Sequence, residues 1–287
     1  MTSGGDFHCH STCSDGRLTP TELVDLAASR GVRIMALTDH DSLEGIAEAQ
    51  QAAARHPGFH LIPGVEMSTD IPNAEVHVLG YFLDPSDHEF QDILARMRDT
   101  RLGRARGMVD KLRAMGFDIT WERVRAIAGD GAVGRPHIAQ ALLEKEYIST
   151  IAEAFDLYIG RTGPAYVERP KLTPAETVAT LARRRAMPVL AHPRDMEELE
   201  ALLPELKGAG LVGMEVYYQD YDDETIQRLL GVARRFGLLP LGGSDYHGLG
   251  GEHERLPGDI PLPDDAIDAF LALAQETTSF PGRTPGH

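Results

Sequence analysis

The first residues in the chain that could do chemistry are His8 and His10, in the stretch Asp6-Phe7-His8-Cys9-His10-Ser11-Thr12-Cys13-Ser14-Asp15-Gly16. It reads as a brief strand running into a Ser-Asp-Gly turn. Strand side chains alternate faces, so His8 and His10 point one way and Cys9 the other. Two imidazoles on one face are half of a metal site. Further along, short apolar runs end in, or carry, donors of the same kind. His40 follows the run 33–37, Glu66 follows 59–65, His77 lies within 74–83, His192 follows 187–191, and Asp245 and His247 follow 238–243. Together with Asp15 these are six imidazoles and three carboxylates. One zinc or manganese ion takes about four to six N/O ligands, so nine donors point to two or three ions with a carboxylate bridging.

Such distant residues must be gathered by the fold. Pro20 opens a helical pattern that ends at Gly31, and a second helix covers 43–55. From Asp87 to about Tyr166 the strand signal disappears. There, 88–115 reads as a long basic helix (Arg96, Arg98, Arg101, Arg104, Arg106, Lys111, Arg113), followed by helical pieces at 120–128, 136–147 and 150–159. Alternation of strand and helix then resumes, with helices at 174–186, 195–207, 222–236 and 264–275. Seven strand-like runs separated by helices predict an α/β fold with a parallel sheet, enough to close or nearly close a barrel. The expected organisation is a barrel domain of residues 1–86 and 167–287 interrupted by a helical insertion at 87–166. In a parallel barrel the carboxyl ends of the strands converge on one face, where the nine donors would meet.

Composition narrows the function classes. A chain of 287 residues, 42% hydrophobic and 25% charged, is an ordinary soluble protein with ample core. It has no apolar run of membrane-spanning length, and its start lacks a signal-peptide pattern, so a cytoplasmic location without membrane association is expected. Two cysteines, Cys9 and Cys13, cannot build a disulfide framework or an all-thiolate zinc site. Cys9 reads as a small buried filler. The formal net charge of −16 argues against wrapping long duplex nucleic acid. A small phosphate-bearing ligand stays compatible with it if metals and local cations supply the positive field.

The motifs His8-Cys9-His10, Ser14-Asp15-Gly16, Thr38-Asp39-His40-Asp41, Gly64-Val65-Glu66, His77, Ala191-His192-Pro193 and Gly243-Ser244-Asp245-Tyr246-His247 resemble, in order, those of the polymerase and histidinol phosphatase (PHP) family. The resemblance implies a distorted (β/α)7 barrel and metal-dependent phosphoester hydrolysis. It implies one metal on His8, His10, Glu66 and Asp245, a second on Glu66, His77 and His192, and a third on Asp15, His40 and His247. The ions would be Mn2+, with Fe2+ or Zn2+ as alternatives. A hydroxide held at Glu66, His192 and Asp245 would attack phosphorus in line. Within the family, the length and the Arg135-Pro136-His137 segment resemble the branch acting on nucleoside 3',5'-bisphosphates and 5'-phosphorylated short oligonucleotides. On that resemblance Arg135, His137 and Lys171 would grip the 5'-phosphate, with Arg194 a further phosphate-binding candidate. Two other readings share the ligands: a histidinol-phosphate-type monophosphatase, and a non-catalytic metal-binding module of a polymerase assembly.

Other residues carry plainer expectations. His60 is expected to be structural, and His56, His88, His253 and His287 surface residues. The arginines of 96–113 are expected to form a solvated face, and Trp121 to lie in the core of the insertion.

Overall fold

A computed structural model describes residues 3–71, 74–129, 133–168, 172–196, 198–250 and 254–277. In chain order the first part contains β1 (Gly5–Asp6), α1 (Pro20–Ser29), β2 (Ile34–Leu37), α2 (Ile46–Ala53), β3 (His60–Ile71) and β4 (Ala74–Tyr81). Four helices follow without a strand: α3 (His88–Ala114), α4 (Trp121–Ala128), α5 (Arg135–Glu144) and α6 (Ile151–Ala154), the last running into a π-helical turn at Phe155–Ile159. Then come α7 (Pro174–Arg183), β5 (Met187–Leu190), α8 (Leu199–Ala209), β6 (Gly213–Tyr218), α9 (Asp223–Phe236), β7 (Leu239–Gly243) and α10 (Asp264–Thr277). The chain divides into two compact units, Met1–His88 with Leu172–His287, and Glu89–Lys171. Among the described residues no helix is long and apolar enough to cross a membrane, and Cys9 and Cys13 are both free thiols.

In the first unit the seven strands form one sheet in sequence order. The helices start where local chemistry favours it. Thr19 and Thr173 accept the backbone N–H of Glu22 and Glu176, and each of those acids returns a bond to its cap, so two capping boxes open α1 and α7 behind Pro20 and Pro174. The sheet bends into a nearly closed barrel. Across the gap between first and last strands, Cys9 bridges Tyr246 in parallel, and the buried carboxylate of Asp6 accepts the N–H groups of Ser244 at 3.0 Å and Gly258 at 2.9 Å. A buried apolar cluster joins Phe7 and residues of β2, β3, β4, β5 and β7 to Ile267, Phe270 and Ala274 of α10. Phe270 lies 5.1 Å from the Phe7 ring and 5.3 Å from that of Tyr81, so α10 is tied directly to the inner strands.

The second unit has its own core. Met108, Val109 and Leu112 of α3 pack with Val124 of α4, Ile138 and Leu142 of α5, and Ile159, with Trp121 against them. The basic face of α3 is not wholly solvated as the sequence predicts. Arg104 is buried, its Nε donates to the carbonyl of Val167 at 3.0 Å, and its guanidinium lies over the Tyr166 ring. Long arginine stems cover apolar surface when the head finds an acceptor, and charge counting alone does not show that acceptor.

Three further expectations are corrected. The sheet is not parallel throughout, because β4 runs antiparallel to both β3 and β5. Only two residues separate β3 from β4, whereas a parallel pairing needs a crossover of a dozen or more. Glu66 does not follow its strand but sits inside β3, which continues to Ile71. Residues 67–71 find no β2 partner but pair with β4, so the polar run Ser68-Thr69-Asp70 is strand all the same. The opening strand is only Gly5–Asp6, although His8 and His10 still face one way beyond it.

Barrel closure leaves no room between β7 and the segment after β1. A Cβ built on Gly243 would meet the His8 backbone nitrogen at 2.5 Å and the His8 Cβ at 2.6 Å. We expect Gly243→Ala to lower stability by about 1–3 kcal/mol through overpacking, read as a fall in the urea midpoint at unchanged m-value.

Candidate metal centre

All nine donors of the sequence reading come together in the barrel unit. His8, His10 and Glu66 are almost fully buried, and Asp15 and His40 are less than 10% exposed. One group is His8, His10, Glu66 and Asp245. His8 Nε2 lies 3.3 Å from Glu66 Oε2 and 3.1 Å from Asp245 Oδ1, and His10 Nε2 lies 3.2 and 3.0 Å from the same two oxygens. Glu66 faces two ways. Its Oε2 is also 3.2 Å from His40 Nδ1, whereas its Oε1 is 2.7 Å from His77 Nδ1 and 3.2 Å from His192 Nε2. Asp15 gathers a further group: His247 Nε2 stands 3.3 Å from its Oδ1, His10 Nδ1 3.7 Å from the same atom, and His40 Nε2 3.8 Å from its Oδ2. His40 thus stands between two groups, one ring nitrogen toward each.

The backbone around these side chains is built to hold them. Asp39, buried, accepts the Ser11 N–H at 2.8 Å and the hydroxyls of Ser11 at 2.7 Å and Ser14 at 2.6 Å, which ties down the loop carrying His10 and Asp15. That loop is tight enough that a Cβ at Gly16 would fall 2.4 Å from the His10 carbonyl oxygen. His192 and Asp245 have φ of 28° and 49°, in the left-handed region that L side chains enter only under constraint. Both stand two residues past the ends of their strands and turn their side chains into the cluster.

These donors fit divalent metal ions. A divalent ion with bonds of about 2.0–2.2 Å to nitrogen and oxygen sets its ligand atoms about 3.0–3.5 Å apart. The four atoms around His8 and His10 stand at 3.0–3.3 Å from their opposite numbers. Buried polar atoms are normally hydrogen-bonded, yet His8 Nε2, His10 Nε2 and Asp245 Oδ1 have no hydrogen-bond partner and face one another, and Asp15 Oδ1, also without one, faces His247. A mixed imidazole and carboxylate set of this kind suits manganese, iron or zinc.

The side chains of the cluster offset one another's charge. Burial alone would lower the His8 pKa, but the carboxylates of Asp245, Glu215 and Glu66 raise it well above the ordinary imidazole value. Burial likewise opposes protonation of His247, and Asp15 and Asp245 outweigh it to bring its pKa to about 10. Asp15, Glu66 and Asp245 are held well below the usual carboxylate range, since the surrounding imidazoles overcome the desolvation that would raise them.

The phosphate-binding candidates are arranged differently. Arg194, in a 3-10 turn at Pro193–Asp195, puts its Nε 3.2 Å from Asp195 Oδ1 and its Nη1 3.6 Å from Asp220 Oδ1, and its guanidinium lies over the Tyr221 ring. Arg135 and His137 belong to the helical unit. His137 is buried and its Nδ1 accepts the Gly134 N–H at 2.9 Å, which caps α5, and Arg135 lies over the Phe155 ring. Lys171, His253 and His287 lie outside the described residues. His56 binds Asp25 at the surface, His60 is exposed at the start of β3, and His88 opens α3.

Two neighbours of the cluster escaped the sequence reading. Glu215, fully buried in β6, puts Oε1 3.0 Å from His8 Nδ1 and accepts the His192 N–H at 2.8 Å through Oε2. Tyr218 donates its hydroxyl to Asp245 Oδ2 at 2.6 Å. The available signal was an acid inside the otherwise apolar run Gly213–Tyr218, because a buried acid needs a partner.

Residues 6–184 match the PHP domain. The chain is 34% identical over 251 residues to a 5'-3' exoribonuclease of Haemophilus influenzae, covering 86% of this chain and 91% of that one. It is 34% identical over 263 residues to a 3',5'-nucleoside bisphosphate phosphatase of Chromobacterium violaceum, covering 89% and 92%. A solved structure from Bifidobacterium adolescentis, described as a metal-dependent phosphoesterase, superposes with a TM-score of 0.81 at 33% identity, covering 94% of this chain and 96% of that one.

Because His247 keeps its proton up to about pH 10 in the metal-free protein, an ion binding there near neutrality must displace it. Metal affinity should therefore rise with pH, and Mn2+ uptake at pH 7 should release at least one proton per chain. Calorimetric titration in buffers of different ionisation enthalpy measures this release, and a binding heat independent of buffer contradicts it.

Proposed function

The chain belongs to the PHP domain family, and on that premise we propose that it hydrolyses the 3'-phosphoester of nucleoside 3',5'-bisphosphates. By the same chemistry it would act on 5'-phosphorylated short oligonucleotides, releasing nucleotides from the 5' end. The observation that carries the reading is the carboxylate of Glu66, whose two oxygens face different histidine groups across one buried pocket. Divalent ions held by these donors, Mn2+ in our reading, supply positive charge to the phosphoryl oxygens and bring the pKa of water toward neutrality.

The chain's own residues do the rest. His8, His10 and Asp245 fix one end of the pocket, Asp15, His40 and His247 another, and His77 and His192 the side facing Glu66 Oε1. We assign to Glu66, His192 and Asp245 the placing of the attacking water. In-line displacement at phosphorus depends mainly on position and charge, which rigid, buried side chains supply without reorganising during reaction. Arg135, His137, Lys171 and Arg194 are proposed to bind phosphate on the family resemblance. The two names carried by the relatives, a bisphosphate phosphatase and a 5'-3' exoribonuclease, are supported by one chemistry: a 3'-ester is cut while a 5'-phosphate identifies the substrate. A cytoplasmic setting accords with two unpaired thiols. Small nucleotides are favoured over long duplexes by the charge of −16.

With Mn2+ present, adenosine 3',5'-bisphosphate should yield AMP and inorganic phosphate, and 5'-AMP should not be turned over. Asp245→Asn should cut kcat/KM by about 100-fold or more. Arg135→Ala should raise KM for the bisphosphate more than for a 3'-monophosphate. No phosphate release from any nucleotide phosphoester, under metals the protein demonstrably binds, would remove the proposal.

A further inference from the structure

Strand β6 contributes none of the nine donors, yet it lies directly behind them. Its pairing with β7 slips by one residue: Glu215 faces Leu241 and Tyr217 faces Gly242, so Val216 is an extra residue, a β-bulge. In a regular strand residues 215 and 217 would share a face and 218 would point away from both. The bulge exchanges these positions. Tyr217 packs against the cluster that contains α10, while Tyr218 turns inward beside His8 and His192, its ring 6.4 and 5.4 Å from theirs. Glu215 and Tyr218 thus reach the same side, and each meets the rear of a metal-facing group. Glu215 Oε1 takes His8 Nδ1, which leaves Nε2 toward Glu66 and Asp245, and Oε2 takes the N–H of His192, whose φ is 28°. Tyr218 occupies Asp245 Oδ2, which leaves Oδ1 as the atom facing His8 and His10.

From this geometry we infer that the bulge in β6 presents Glu215 and Tyr218 as a positioning pair, selecting which atoms of His8 and Asp245 face the ions and holding the strained turn at His192. The inference rests on the metal reading of the same centre. A carboxylate is suited to the work because it has two acceptor oxygens for two donors, the His8 Nδ1–H and the His192 N–H. An amide has one oxygen. In Glu215→Gln either His192 loses its acceptor, or the amide NH2 faces His8 Nδ1 and moves the ring proton to Nε2, the atom that must bind metal. Partners of ligating histidines typically govern metal affinity on the order of 10- to 100-fold.

The test uses Mn2+ alone, with affinity and stoichiometry read by chelator competition on the full-length protein, and circular dichroism of the metal-free state as the fold control. Glu215→Gln should bind Mn2+ about 10- to 100-fold more weakly with its fold intact. Glu215→Asp, which keeps both acceptors, should recover part of the loss, and Tyr218→Phe should show a smaller one. If Glu215→Gln does not fold, the other two variants decide the matter on the same readout. Parent-like Mn2+ affinity and stoichiometry in the folded variants would overturn the inference and leave the metal reading standing. A parent protein that takes up no Mn2+ would overturn both.

Discussion

The structure depends on one buried carboxylate. Glu66 lies inside a strand, almost sealed from solvent, with five imidazoles within 3.3 Å of its two oxygens. A carboxylate in such a place is costly unless opposite charge surrounds it, and here protons on the histidines or metal ions must supply that charge. The rest of the barrel is arranged so that the histidines arrive from different directions: His8 and His10 from the opening segment, His40 after β2, His77 from β4 and His192 after β5. No local stretch of chain could place five rings around one carboxyl group.

Much of this was legible in the sequence. Histidine and acid side chains recurring at the ends of apolar runs identify both the sheet and the donors, because a parallel barrel brings strand ends together. What stayed hidden depends on pairing. Ser68-Thr69-Asp70 looks like loop by composition, and it is strand because β4 lies alongside, so the strand reversal was missed as well. Glu215 is one acid in an apolar run, and nothing local to it indicates that its partners are His8, 207 residues away, and the backbone of His192. Arg104 shows the same limit in the helical unit: a basic periodicity does not reveal which arginine is buried.

Rigidity is distributed unevenly around the centre. The loop of His10 and Asp15 is pinned by the side chain of Asp39, the gap between first and last strands by Asp6, and His192 by Glu215. Each of these acids is buried and each accepts at least one backbone N–H, so carboxylates outside the nine donors fix the backbone while the donor carboxylates beside them face the histidines. Separating the two jobs lets the donors carry atoms without hydrogen-bond partners, which would otherwise destabilise a protein interior.

The turn from β3 into β4 has an effect of its own. Past Glu66, residues 67–71 pair with 74–78 of β4 and run on beyond the last β2 partner of β3, while the chain at β5 accompanies β4 only from Tyr81 to His77. Met67, Ser68, Thr69 and Val76 of that extension are almost fully buried, so Glu66 stands well inside a paired, packed ladder and not at a strand end that could fray.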